Sequence, residues 1–117
     1  MKIDAYNIRV YGLLVDNQKR ILLTDERRGG YSMTKFPGGG HELGEGMADG
    51  LIREWKEELN VDIEVGDLFY LNDFLQISAF NPREQLLSVY YWVNLDGLES
   101  IPTVETRYQF PANDQDA

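Results

Sequence analysis

Twelve residues, Lys35 to Gly46, read KFPGGGHELGEG and place five glycines and two glutamates directly ahead of a segment with helical period. Taken alone, the triplet Gly38-Gly39-Gly40 reads as a flexible turn. The segment that follows gives it a context. From Met47 to Leu59 the apolar residues Met47, Ala48, Leu51, Ile52, Trp55 and Leu59 fall on one arc of a helical wheel, and that arc must face a sheet. Beside it stand Glu54, Glu57 and Glu58, spaced i, i+3 and i+4, so that three carboxylates project from one edge of the helix. At about 6 Å and an effective dielectric of about 20, each such pair costs roughly 3 kcal/mol, and less when fully solvated. Arg53 and Lys56 compensate only part of this charge. An acidic solvated face is the ordinary reading of a helix like this one.

The flanking segments read as strands. YNIRVYGLLVD (Tyr6 to Asp16) and KRILLTDE (Lys19 to Glu26) are rich in β-branched and aliphatic residues and meet at a turn-prone junction, which predicts an antiparallel hairpin. DLFYLNDFLQISAF (Asp67 to Phe80) and QLLSVYYWVNL (Gln85 to Leu95) flank NPRE, a second hairpin connection with Pro82 in its turn. The order strand, strand, glycine loop, helix, strands argues for an α+β fold with one helix packed on a sheet, or an α/β/α sandwich. No repeat or linker divides the 117 residues, so one domain spanning 1–117 is expected, with a polar tail from Pro111 to Ala117.

Composition narrows the function. The formal net charge is -9, and the 11 basic residues are scattered, with Lys19-Arg20 and Arg27-Arg28 as the adjacent pairs. A duplex nucleic-acid binder needs a basic footprint, because phosphate neutralisation supplies most of its affinity. A phosphate-bearing ligand of this chain is therefore expected to be small, or to have its charge met by metal ions. With no cysteine, thiolate metal sites and thiol nucleophiles are excluded. No apolar run is long enough to cross a bilayer, and a soluble, cytoplasmic protein is the expectation.

The spacing from loop to helix is the most specific signal. Reading from Gly39 there is Glu45 and then Arg53-Glu54-Trp55-Lys56-Glu57-Glu58-Leu59-Asn60-Val61. This resembles the Nudix box, in which Gly, Glu and Arg-Glu-apolar-any-Glu-Glu-any-Gly-apolar recur at these separations. Six fixed positions match, which by chance at a given start has a probability on the order of 10⁻⁷. Asn60 stands where the family has glycine, just past the helix end, where a left-handed residue closes the last turn. Asparagine tolerates that conformation best after glycine, so the departure is structural. Trp55, where an aliphatic residue is more usual, keeps the apolar role.

The resemblance implies a Nudix-like α/β/α sandwich with a mixed sheet. It also implies an enzyme that hydrolyses a pyrophosphate bond in a nucleoside diphosphate linked to another moiety. By that analogy Glu54, Glu57 and Glu58, with the backbone carbonyl of Gly38, bind Mg²⁺ or Mn²⁺. Arg53, paired with Glu45, holds the catalytic glutamates in place, and Gly39 supports the loop. The chemistry is consistent, since hard divalent cations take oxygen ligands, and Mg²⁺ commonly takes one or two carboxylates with water and phosphate oxygens. The general base is a box glutamate, with Glu54 preferred, or a later one, Glu99 or Glu105. Arg27 and Arg28 are candidates for a substrate phosphate, and His41 for another substrate contact. Tyr90, Tyr91 and Trp92 are candidates to stack on a base, although strand alternation puts at least one of them in the core. A non-catalytic nucleotide-sensing module is the alternative reading. Family members continue with a further strand and a closing helix, so closing C-terminal elements are expected to be missing, with a homodimer as one way to cover the open face.

Overall fold

The computed structural model describes residues 2–28 and 30–96, without the side chains of Arg27, Arg28 and Tyr31. Four strands form a mixed sheet in the order β4-β1-β6-β5: β1 (Ala5–Leu13), β4 (Gly38–Gly40), β5 (Glu64–Leu71) and β6 (Glu84–Asn94). A separate antiparallel ribbon joins β2 (Thr24–Arg28) to β3 (Tyr31–Lys35), and one helix, α1 (Met47–Leu59), completes the described elements. The fold is α+β.

The parallel pairing at the centre explains the order. β1 runs alongside β6 from Ala5 opposite Glu84 to Leu13 opposite Trp92. Parallel neighbours need a long crossover between them, and here α1 lies within that crossover. The helix packs on β4, β1 and β5. Between helix and sheet sits the core: Val10, Leu14, Leu51, Trp55, Ile63, Val89 and Val93. Trp55 is fully buried and its indole N–H donates to the Pro37 carbonyl at 3.1 Å. The bulk of the indole fits because Gly12 faces it; a Cβ there would lie 2.9 Å from the ring. Alternation along β6 sends Val89, Tyr91 and Val93 towards α1. Tyr90 instead stacks on Tyr11 on the other face, at 5.3 Å between centroids, and Trp92 meets Phe69 edge-on at 4.9 Å.

Several sequence expectations are corrected in detail. The first hairpin closes only at its tip. Asp16 accepts the backbone N–H groups of Gln18 and Arg20, both at 2.9 Å, and Val15 bridges Ile21. Past Leu22, whose N–H still donates to the Leu14 carbonyl at 2.9 Å, the second arm leaves the first and pairs with β3 from Thr24, a partner that propensity alone did not reveal. The glycine triplet is a buried edge strand rather than a loose loop, with Gly39 opposite Val10. The second hairpin is present, with Pro82 in its turn, but its first strand ends at Leu71. There the buried Asn72 amide takes over, donating to the carbonyls of Phe74 and Leu86 and accepting the Ser88 N–H at 2.7 Å. On the helix, Ile52 lies at the exposed margin of the apolar arc, at 36 % exposure. The closing elements would follow Leu95, and residues 97–117 lie outside the described residues. Among the described residues no helix is long and apolar enough to cross a membrane.

The contrast along α1 gives a stability test. Trp55→Ala should destabilise the fold by about 3–5 kcal/mol, the usual cost of deleting a buried aromatic. Ile52→Ala should cost about 1 kcal/mol or less, as a substitution at a partly exposed position does. Urea denaturation of both variants checks the pair, and equal losses would contradict the packing described.

Candidate active site

The site forms where the edge strand β4 meets the acidic edge of α1. Arg53 organises it. Its guanidinium grips Glu45 with two bonds, Nε to Oε2 at 3.0 Å and Nη2 to Oε1 at 2.8 Å, and Nη2 also donates to the Gly40 carbonyl at 3.0 Å. Nη1 donates to Glu54 at 3.2 Å and to Glu57 at 3.3 Å, and lies 3.6 Å from Glu42. One planar cation thus joins the loop, the strand and two helical carboxylates, which suits the fixed fork of arginine and would not suit lysine. The Arg53 bonds, with the Glu42 backbone N–H at 3.0 Å, hold the Glu45 carboxyl down at about 2. The same bonds push the guanidinium upwards in pKa, so both partners stay charged.

Glu54 is largely sheltered and its carboxylate lies against Gly39, where a Cβ would come within 2.5 Å of it. That close approach is the physical requirement for glycine at position 39. Gly38 has φ 154°, and a Cβ there would strike the Val10 carbonyl, so this position too admits only glycine. Glu58, on the next turn, receives a backbone hydrogen bond from Gly38 and lies 3.6 Å from the Lys35 ammonium. Burial raises its pKa, and the nearby Glu26 and Glu54 charges push the same way against Lys35. Glu57 is the most exposed of the three, at 61 %, and touches Arg53. The helix closes on Asn60, left-handed at φ 57° and ψ 40°, whose N–H returns to the Lys56 carbonyl.

Glu45, Arg53, Glu54, Glu57, Glu58, Gly38 and Gly39 are therefore gathered in one place. His41 lies beside them, but its Nε2 is bonded to the Glu45 carbonyl at 2.6 Å, within the loop itself. The Arg27 and Arg28 side chains, and Glu99 and Glu105, lie outside the described residues. Three residues that the sequence did not single out belong here: Glu42, Glu26 and Lys35. Glu26 and Lys35 are diagonal neighbours across the β2–β3 ribbon, since Glu26 pairs with Met33. Their spacing would have been legible only with that pairing known.

Among the described residues no three His, Asp or Glu side chains already surround a common point as a metal cage. Oxygen donors are nevertheless assembled around a cation. The Lys35 ammonium sits 3.0 Å from the Gly38 carbonyl, 3.5 Å from Glu26 and 3.6 Å from Glu58. Two carboxylates and a carbonyl are the hard donors that Mg²⁺ or Mn²⁺ takes, with the rest of the shell left to water or phosphate. The residues present fit such an ion.

Comparison with known proteins places the chain in a family. The family model described as NUDIX domain matches residues 5–112, and the chain belongs to that family. Its enzyme class is the Nudix pyrophosphohydrolase. Among solved structures, the fold is similar to the MutT protein from Methanosarcina mazei Go1, with TM-score 0.65 and 20% identity over 80% of this chain and 71% of that one. It is also similar to the E. coli ORF135 protein, with TM-score 0.61 and 21% identity over 76% of this chain and 61% of that one. A NUDIX hydrolase from Nitrosomonas europaea has TM-score 0.60 and 22% identity, over 87% of this chain and 69% of its own. A search of curated proteins finds no match.

The Arg53–Glu45 fork carries a pH signature. A carboxyl held at about 2 contributes stability above its ordinary value of 4.5 and loses it as the pH falls from there towards 2. Glu45→Gln should therefore melt lower than the parent protein at pH 7, with the gap shrinking between pH 4.5 and pH 2. Thermal melts across that window check this, and a gap independent of pH would mean that Glu45 acts only by packing.

Proposed function

We propose that this chain hydrolyses a phosphoric anhydride bond in a nucleoside diphosphate linked to another moiety, with Mg²⁺ or Mn²⁺ held between α1 and β4. The observation that carries the reading is the Arg53 fork, which fixes Glu54 against Gly39 while Glu58 takes the Gly38 backbone. Glu54, Glu57, Glu58 and the Gly38 carbonyl are the residues that would hold the ion. When bound, it supplies charge neutralisation for the diphosphate and activation of water.

The chain's own part is positional and protonic. Arg53 holds Glu54 and Glu57 through hydrogen bonds from one guanidinium nitrogen, and Glu45 fixes Arg53 in turn. Glu54 is the preferred base, taking a proton from the attacking water at a carboxylate oxygen, with Glu99 and Glu105 as the downstream candidates. Gly39 leaves room for that carboxylate. The net charge of -9 favours a small ligand whose phosphates are met by metal, drawn from the soluble nucleotides of the cytoplasm. Apolar side chains exposed on β5, including Leu68, Phe69 and Leu71, support a homodimer as part of this proposal.

A hydrolysis screen tests the reading directly. Nucleotide sugars, ADP-ribose-like compounds, dinucleoside polyphosphates and modified nucleoside triphosphates would each be offered with Mg²⁺ or Mn²⁺, with and without chelator. Turnover of at least one class, abolished by chelator and lowered about 10²–10⁴-fold in Glu54→Gln, is the expected result. Tight nucleotide binding without turnover would instead identify a sensing module.

A further inference from the structure

We propose that Lys35 is a tethered counter-cation that occupies the divalent-ion position in the metal-free protein, so that metal binding requires its ammonium to leave. The inference rests on the metal-dependent reading above and adds to it a residue outside the box.

Lys35 ends β3, separated from the buried strand β4 by Phe36 and Pro37, and its side chain is only 15 % exposed. An ammonium has three donors and no acceptor. Around this one stand three oxygen partners: the Gly38 carbonyl at 3.0 Å, Glu26 at 3.5 Å and Glu58 at 3.6 Å. The Tyr11 ring lies on its remaining side, with the nitrogen 5.8 Å from the centroid. The shell is that of a bound cation, and two of its three oxygens, Gly38 and Glu58, are ones the metal would use.

Sharing is not feasible. A divalent ion bonded to the Gly38 carbonyl and Glu58 would stand close to the ammonium, and like charges at that range in a half-buried site repel strongly. Lysine can resolve the conflict where arginine could not easily do so, because its charge is compact and its four-carbon stem is flexible. The two cations therefore compete for one set of oxygens. In the absence of metal, Lys35 relieves the repulsion between Glu26 and Glu58, which lets the site stay folded while empty of metal. Its cost is a weakened apparent affinity, since the ion binds only the fraction of molecules from which the ammonium has withdrawn.

Mn²⁺ binding, read from the electron paramagnetic resonance of the free ion, tests this without recourse to activity. Lys35→Met should bind Mn²⁺ at least about fivefold more tightly than the parent protein, the lower end of ordinary coupling between sites. It should also melt lower than the parent without metal and recover more on adding Mn²⁺. Should that variant fail to fold without metal, the parent protein gives a second readout: the Lys35 ammonium resonance, slowed in exchange by its three partners, should be lost as Mg²⁺ saturates the site. Binding by Lys35→Met that is equal to or weaker than the parent's, or a Lys35 resonance that persists at saturation, overturns the proposal while leaving the metal-dependent reading intact. If neither protein binds Mn²⁺, both fall together.

Discussion

Everything at the site depends on one guanidinium. Arg53 reaches from α1 to Glu45 in the loop, to the Gly40 carbonyl on β4 and to Glu54 and Glu57 on its own helix. Without it, the carboxylates on that edge of the helix would repel one another and the loop carrying Glu45 would lose its side-chain tie to the helix. With it, the loop, the edge strand and the helix form a unit whose geometry is set by planar, bidentate bonding. Trp55 anchors the same unit from beneath. Its indole binds the Pro37 carbonyl, just ahead of the glycines, so the burial of the core and the placement of β4 are one event.

A second consequence concerns charge. An acidic helix edge facing a backbone strand would be costly if the carboxylates had no cations, because partial burial weakens the screening of like charges. Two internal cations share the load. Arg53 serves the first turns of the acidic edge, and Lys35 serves Glu58 and Glu26 at its other end. Their roles differ as their chemistry does. The arginine is locked by five hydrogen bonds to four acceptor groups into a structural role, whereas the lysine holds its oxygens as a movable point charge.

Much of this was legible in the sequence, and what was legible was local. The spacing of Arg53, Glu54, Glu57 and Glu58 fixes their common edge because a helix has one period, and Asn60 announces its own left-handed conformation at the helix end. The alternation along β6 similarly shows that Tyr91 must differ from Tyr90 and Trp92. What remained hidden depends on contacts distant in sequence. Glycine's low strand propensity makes Gly38-Gly39-Gly40 read as a loop, and only pairing with Val10 and its neighbours makes it a strand. The β2–β3 ribbon is hidden for the same reason, and with it the approach of Glu26 to Lys35. Asn72 ends β5 early by offering a side-chain amide where a backbone ladder was expected, a substitution that residue type alone does not signal.

We propose that the face between α1 and β4 is the metal-binding face, and its location can be measured. Backbone amide signals of the isotope-labelled protein, followed while sub-stoichiometric Mn²⁺ is added, report proximity to the ion through paramagnetic broadening. Gly38, Gly39, Glu54 and Glu58 should broaden first, while residues at the β5 edge such as Phe69 stay sharp. Broadening that begins elsewhere, with the Gly38 and Glu58 signals unchanged, would contradict it.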